Sequence, residues 1–344
     1  MSHKNRHTPV LAVTMGDPAG IGPEIAAKVF AGNLIYDICR PVLIGHAATM
    51  REAVKTSGLK LLIRTIDSID EAVYQPGTLD LIEVGANITE PVSPGKISAE
   101  AGEIAFRAVK KAIELNMQGK THGTVTGPVN KEAINKAGHN FSGHTEIFAH
   151  YTHARKYAML LIDDNLRIIH ATTHVSLREA CNLIRKERIL EVIQLLDAGL
   201  QKLGFANPLI GVAGLNPHSG DGGLFGTEEI EEIQPAIEEA RAMGINVDGP
   251  VPADTLFALA RGGRYDGCVA MYHDQGHIPF KLLGFTWDKK KNTMQSVRGV
   301  NITLGLPIVR TSVDHGTAFE IAGKGLASAD ALGQAIEYAC KLAN

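Results

Sequence analysis

Short apolar runs alternate with longer amphipathic stretches along most of the chain. The opening segment PVLAVTMGDPAGIGPEIAAKVF reads as a strand, a glycine-rich turn and a helix. Pro23 suits the first helical turn, where a missing N–H costs nothing. The same grammar recurs in RPVLIGHAATMREAVKTSG and in GTVTGPVNKEAINKAG. NPLIGVAGLNPHSG is a strand ending in a turn, and TEEIEEIQPAIEEARAMG is the helix after it. RYDGCVAMYHDQG is a further strand that ends in a polar turn. Alternating strands and helices imply an α/β fold with a mostly parallel, helix-covered sheet.

Two segments break the rhythm. YAMLLIDDNLRIIHATTHV reads as a hairpin around Asp163, Asp164 and Asn165, with His174 closing the second strand. SLREACNLI then begins a helix, with Ser176 and Glu179 spaced as a capping box. KERILEVIQLLDAGLQKLG has helical spacing and stops at Gly204. The second break is FTWDKKKNTMQSVRG, an exposed loop or ribbon whose Lys289, Lys290 and Lys291 read as a solvated tip.

Composition narrows the class. The chain has 344 residues, 44% of them hydrophobic and 21% charged, with a net charge of -3. Disorder is excluded by that apolar content, and the length suits two domains or one large α/β unit. No long basic block exists, which argues against a nucleic-acid partner. Cys39, Cys181, Cys268 and Cys340 form no C-x-x-C pair, so reduced, buried thiols are expected. No run approaches ~18 apolar residues and no apolar leader follows the basic start, so the chain reads as cytoplasmic, with no membrane partner.

Gly16, Gly20 and Gly22 match neither the dinucleotide fingerprint nor a P-loop. The helix start at Pro23 suits an anion, or the turn only connects its elements. Near the end, TSVDHGTAFEIAGKG places His315, Gly316, Thr317, Gly323 and Gly325 in a loop of small residues that a flat or phosphorylated ligand can approach. Three histidines sit where strands should end: His174, His218 in NPHSGDGG and His273 in HDQGH. Ligands of open α/β sheets bind outside such ends, and grouped neutral imidazoles suit a metal. His144 and Thr145 precede a helix, a place for a carboxylate or phosphate as well as for an ordinary cap. Lys281, Asn301 and Arg310 lie around the apolar ITLGLPIV strand, and such cations suit an anionic substrate or plain surface charge. Asp254 reads as a general acid/base or a helix cap. His277 and His315 are reserve candidates; His46, His122, His139, His150, His153 and His170 read as structural, and His3 and His7 as exposed or disordered.

Taken together, GDPAGIGPE, GHTE, ATTHVSL, GLNPHSGDGG, PADTLF, YHDQGH and VNITLGLPIVRTSVDHGTAFEIAGKG resemble the 4-hydroxythreonine-4-phosphate dehydrogenase family over nearly the whole chain. The resemblance implies two α/β/α domains similar to those of isocitrate and isopropylmalate dehydrogenases, a non-Rossmann NAD site and a homodimer. It implies a discontinuous domain over 1–130 plus 300–344 with the NAD-binding loop, and a second over 131–299 with metal ligands and dimer contacts. His174, His218 and His273 would hold one divalent ion (Zn, Mg, Co or Mn), one imidazole coming from the other subunit. His144, Thr145, Lys281, Asn301 and Arg310 would contact substrate, Lys281 and Asp254 would serve catalysis, and His315, Gly316, Thr317 and Gly323 would meet NAD.

The implied chemistry is oxidation at C3 of a 4-phosphorylated hydroxy acid by NAD, followed by loss of CO2, with the metal as Lewis acid. The link from Thr286 to Arg298 looks like an insertion relative to pyridoxine-pathway members. It resembles a second branch, which converts D-threonate or D-erythronate 4-phosphate to dihydroxyacetone phosphate. The other branch converts 4-phosphohydroxy-L-threonine to 3-amino-2-oxopropyl phosphate in pyridoxal phosphate biosynthesis. A sugar-phosphate-binding protein without catalysis and a zinc hydrolase are the competing classes.

Overall fold

The computed structural model describes residues 8–85, 87, 88, 90–289 and 293–344, with 287, 288 and 293–297 as backbone only. His3, His7, Lys290 and Lys291 lie outside the described residues. In chain order come β1 (Val10–Thr14), α1 (Gly22–Ala31), α2 (Leu34–Ile38), β2 (Arg40–Gly45), α3 (Ala47–Thr56), β3 (Leu62–Ile66), β4 (Thr78–Glu83), α4 (Ala99–Met117), β5 (Gly123–Thr126), α5 (Lys131–Lys136) and α6 (His144–Thr152). The chain continues with β6 (Ala158–Asp163), β7 (Leu166–His170), α7 (Leu177–Leu183), α8 (Lys186–Lys202), β8 (Ile210–Ala213), α9 (Gln234–Ala242), β9 (Val247–Val251), α10 (Ala253–Arg261), β10 (Gly267–Ala270) and α11 (His273–Gly284). A ribbon of β11 (Phe285–Asp288) and β12 (Thr293–Val297) precedes β13 (Val300–Leu304), β14 (Arg310–Val313) and α12 (Asp330–Ala343).

Two compact units result: the chain up to Arg155 with Leu306–Asn344, and Lys156–Gly305. In the first unit the strands run β3-β4-β2-β1-β5-β14, all parallel. Leu11, Ala12 and Val13 of β1 are fully buried, the near-continuous apolar run that a strand covered on both faces requires. Ala108, Ala112 and Leu115 of α4 pack on Ala12, Val42 and Ile44. The boundary differs from the 130/131 junction expected above. Phe106 and Val109 of α4 share a buried cluster with Ile134 of α5 and with Ile147 and Phe148 of α6. That apolar contact keeps 131–155 with the first unit.

The second unit is mixed, in the order β13-β6-β7-β10-β8-β9. β6 and β7 form the expected hairpin, β13 adds antiparallel to β6, and β10 and β8 run parallel. Leu161, Ile168 and Cys268 meet Leu256, Phe257 and Phe280 in its core. Three local expectations change. ITLGLPIV is not one strand: Gly305, at φ +87°, turns the chain between β13 and β14. β7 ends at His170, so His174 follows the strand instead of closing it. HDQG is the first turn of a helix, not an isolated polar turn. Ser176 Oγ does accept from the Glu179 amide at 3.2 Å, as the capping spacing predicts.

All four cysteines are free, and Cys39, Cys268 and Cys340 are buried. Burial pushes the Cys268 thiol up to about 12. Among the described residues no helix is long and apolar enough to cross a membrane.

Gly102 is where α4 and α5 come closest: a Cβ there would lie 1.9 Å from the Ala133 carbonyl oxygen. Helix propensity alone favours alanine by about 1 kcal/mol. Overpacking against a backbone atom costs about 1–3 kcal/mol, so it should win. Gly102→Ala is expected to lower the thermal midpoint in a calorimetric scan; an unchanged or raised midpoint would contradict this close approach.

Candidate active site

The second unit carries the imidazoles. Tyr272 is the N-cap of α11, and His273 is its first residue. His273 Nδ1 lies 2.7 Å from Asp274 Oδ1. With Nδ1 donating its proton to that carboxylate, Nε2 is left as a lone-pair donor, the arrangement found behind metal-bound histidines. The exposed His174 stands beside it, ring centroids 5.9 Å apart. Both line a cleft of about 260 Å³ with Thr173, Leu177, Tyr272 and Asp274. One turn along α11, His277 stacks on His273 at 3.7 Å, and its Nδ1 donates to the His273 carbonyl at 3.0 Å. His170 follows, 4.7 Å from His277. Burial first, then the neighbouring histidines, push His277 down to about 4 and His170 to about 3, so both are neutral near pH 7.

His218 is not with them. It lies on the loop after β8, exposed, with its ring 6.4 Å from that of Phe225. Among the described residues no three His, Cys, Asp or Glu side chains of this chain group as a metal set. One chain therefore brings together two of the three expected ligands. Lys281 is exposed farther along α11, its Nζ 5.3 Å from the Phe285 ring centroid. Asn301 lies on β13 with a buried Oδ1 that has no hydrogen-bond partner among the described residues. Asp254 is exposed in the first turn of α10, where the N-cap is Pro252. It is thus no cap, and it accepts from the Thr255 hydroxyl at 3.2 Å.

The first unit carries the buried cation. Arg310 opens β14 at 2% exposure, and its Nη2 donates to Thr126 Oγ1 at 3.0 Å. Its guanidinium lies 5.6 Å from the Phe148 ring centroid. Burial lowers Arg310 to about 10, opposed by the Glu146 charge, and it stays protonated at neutral pH. His144 is the first residue of α6, with Thr145 half-buried after it. Burial, then the charges of Arg310 and Lys131, hold its imidazole well below the usual range. Its buried Nε2 has no hydrogen-bond partner among the described residues. Two cations beside a neutral, unsatisfied imidazole favour an anion with hydroxyl groups.

In the small-residue loop, His315 Nδ1 lies 3.0 Å from the Gly316 carbonyl and Gly316 is exposed. The Thr317 carbonyl accepts from the Ile21 amide at 2.9 Å, and a Cβ on Gly20 would lie 2.8 Å from Thr317 Cβ. The Gly323 amide donates to Glu24 Oε1 at 2.5 Å. The start of α1 is thus tied to this loop and already holds the buried carboxylate of Glu24, which argues against an added anion there.

Sequence reasoning missed Lys131, Asp17, Gln275 and Glu229. Gln275 and Lys131 lie inside quoted motifs, whereas Glu229 has no distinguishing signal within its acidic run. Gln275 Oε1 accepts from the Met271 amide at 2.7 Å, and its Nε2 donates to the Gly214 carbonyl at 2.8 Å. It bridges the ends of β10 and β8, the strands that lead to His273 and His218.

Clustered imidazoles on one α/β unit and a buried arginine on the other suit the handling of small anionic molecules. The chain belongs to the family described as pyridoxal phosphate biosynthetic protein PdxA, whose model matches residues 37–339. It is 45% identical over 335 residues to the D-threonate 4-phosphate dehydrogenase of Pectobacterium atrosepticum, covering 97% of this chain and 99% of the relative. The enzyme of that name from Salmonella typhimurium is 45% identical over 338 residues, covering 98% and 99%. Among solved structures, 4-hydroxythreonine-4-phosphate dehydrogenase from Klebsiella pneumoniae superposes with a TM-score of 0.84 at 43% identity, covering 99% of each chain.

Asp17 yields a pH test. It is fully buried, its Oδ1 accepts from the Ala19 amide at 2.8 Å, and Oδ2 has no partner among the described residues. Burial raises its carboxyl to about 6, against the amide hydrogen bonds that lower it. The folded state thus binds the proton more tightly than the unfolded chain. That contribution is complete below the unfolded value near 4 and lost as pH rises through about 6. Asp17→Asn should therefore gain on wild type between about pH 4 and 7, by roughly 3 kcal/mol in full. Thermal midpoints at pH 5 and pH 8 would check this; a difference independent of pH would refute it.

Proposed function

We propose that the protein is an NAD- and divalent-metal-dependent dehydrogenase acting on D-threonate or D-erythronate 4-phosphate, giving dihydroxyacetone phosphate and CO2. The observation that carries this reading is the paired His174 and His273, with Asp274 fixing the His273 tautomer. The nitrogen donor set suits Zn²⁺ or Co²⁺. The third ligand, His218, comes from the second subunit of a homodimer. Ile278 and Leu282, 59% and 76% exposed on the helix that begins at His273, support a second copy of the chain as neighbour. When bound, the ion supplies Lewis acidity at the C3 oxygen, and NAD supplies the hydride acceptor.

The chain's own residues then bind and orient. Arg310 presents a fixed guanidinium to the phosphate or carboxylate, and Lys281 adds a mobile charge. Neutral His144 offers Nε2 and Thr145 its hydroxyl to the substrate's oxygens. Asn301 Oδ1 accepts from a substrate hydroxyl and so satisfies an otherwise orphaned buried acceptor. Thr317, Gly316, Gly323 and His315 present a backbone-rich surface to the dinucleotide. The D-threonate branch is supported by the names of the relatives and by the β11–β12 ribbon, which falls on the inserted segment.

Two measurements test the reading. Metal-loaded enzyme with NAD should form NADH from D-threonate or D-erythronate 4-phosphate at least about a hundredfold more efficiently than from 4-phosphohydroxy-L-threonine. A site built for a C2 hydroxyl resists a C2 ammonium by several kcal/mol, and each ~1.4 kcal/mol is tenfold. Equal rates, or preference for the amino acid, would move the protein to the pyridoxine branch. Separately, His174→Ala and His218→Ala subunits are each expected to be inactive and to regain activity when mixed. No recovery despite demonstrated subunit exchange would count against a shared site.

A further inference from the structure

The loop bearing His218 has an unusual backbone. His218, Ser219, Gly220, Asp221 and Gly222 all have positive φ, at 53°, 52°, 80°, 44° and 67°. Residues with side chains resist this left-handed region, so a run of this kind persists only when its surroundings over-determine it. Its closing bonds include those from the Ser219 amide to the Asn216 carbonyl at 3.1 Å, Leu224 to Asp221 at 3.4 Å and Phe225 to Gly220 at 3.1 Å. Asn216 Nδ2 also donates to Glu228 Oε2 at 2.6 Å, and further support comes from Glu229, which is 3% exposed. Its Oε1 accepts from the amides of Leu215 and Asn216, at 2.8 and 2.7 Å. Its Oε2 accepts from Asn216 Nδ2 at 2.9 Å. A Cβ on Gly220 would come within 2.8 Å of that same oxygen, so the carboxylate packs directly against the run. Glu229 also opens a π-helical turn, Glu229–Ile233, a rare geometry that re-aims a side chain.

We infer that Glu229 is a positioning residue for His218: its buried carboxylate clasps the chain at Leu215 and Asn216 and holds the left-handed run that presents the imidazole. The inference rests on the reading of His218 as a metal ligand. A charged acceptor is required because amide bonds to a carboxylate are roughly twice as strong as neutral ones. A neutral glutamine keeps the size and one acceptor, but it turns an N–H toward Asn216 Nδ2.

The test uses the full-length protein and Co²⁺. In metal-free protein, Glu229→Gln is expected to raise hydrogen exchange at residues 215–222 while leaving the rest of the chain unchanged. Co²⁺ affinity, measured by competition with a chromophoric chelator, should fall about 10–100-fold, the usual cost of losing support behind a ligand. Combined with His218→Ala, Glu229→Gln should add nothing. Asn216→Ala, which removes the Nδ2 bonds to Glu229 and Glu228 but keeps both amide bonds to Glu229, should give a smaller effect of the same kind and covers the case in which Glu229→Gln fails to fold. Unchanged exchange at 215–222 would overturn the inference. So would unchanged Co²⁺ affinity where His218→Ala weakens it, or a Glu229→Gln loss that persists in the His218→Ala background. If His218→Ala itself leaves Co²⁺ affinity unchanged, the ligand reading falls, and the inference falls with it.

Discussion

In the second unit four imidazoles pack against one another, and burial keeps the inner two uncharged. His174, His273, His277 and His170 follow one another in file, with neighbouring rings 3.7 to 5.9 Å apart. Protonating any member would place a cation against its neighbours, and burial already opposes that charge at His277 and His170. The burial is supplied by helix α11, which lies over β7 so closely that a Cβ on Gly276 would sit 2.4 Å from His170 Nε2. A helix starting with His273 therefore sets the ring's orientation and, one turn later, lays His277 beneath it.

The first unit solves the opposite problem. There a cation is kept charged in a buried place. Arg310 keeps its proton because Thr126 accepts from it, Phe148 offers a ring face and Glu146 contributes a negative charge. The same arginine helps to keep His144 neutral. The first unit thus keeps a buried guanidinium charged, and the second keeps His277 and His170 uncharged.

The alternation of apolar and amphipathic segments was enough to read the strand–helix order, the hairpin and the ribbon. The histidines after β7, β8 and β10 stood out as candidates because strand ends in parallel sheets are where ligands bind. The missed features have identifiable causes. Gly276 and Pro279 disguise α11 as a turn, although Pro279 falls late enough in the helix to leave its first turn intact. The left-handed run has Gly220 and Gly222 as its signal, and nothing in His218, Ser219 or Asp221 announces a positive φ. Gln275 and Glu229 act by hydrogen bonds to backbone atoms, which no residue pattern encodes. The unit boundary shifted because Ile134, Ile147 and Phe148 bury against α4, a contact between segments whose apolar periodicity matched either neighbour.

The first unit is discontinuous, and this orders events during synthesis. Its strand β14 and helix α12 leave the ribosome last, after the whole of Lys156–Gly305. The intervening unit is a single stretch and can complete its own core while the first unit still lacks an edge strand. Domains fold as units during synthesis, N-terminal ones usually first. Here the N-terminal segment is completed by the C-terminal one, because β14 pairs with β5 and Lys28 Nζ donates to the carbonyls of Gly325 and Ala327. Arg310 arrives with that closing segment. A nascent or truncated chain can therefore hold His174 beside His273 and yet lack Arg310, the buried cation of the first unit.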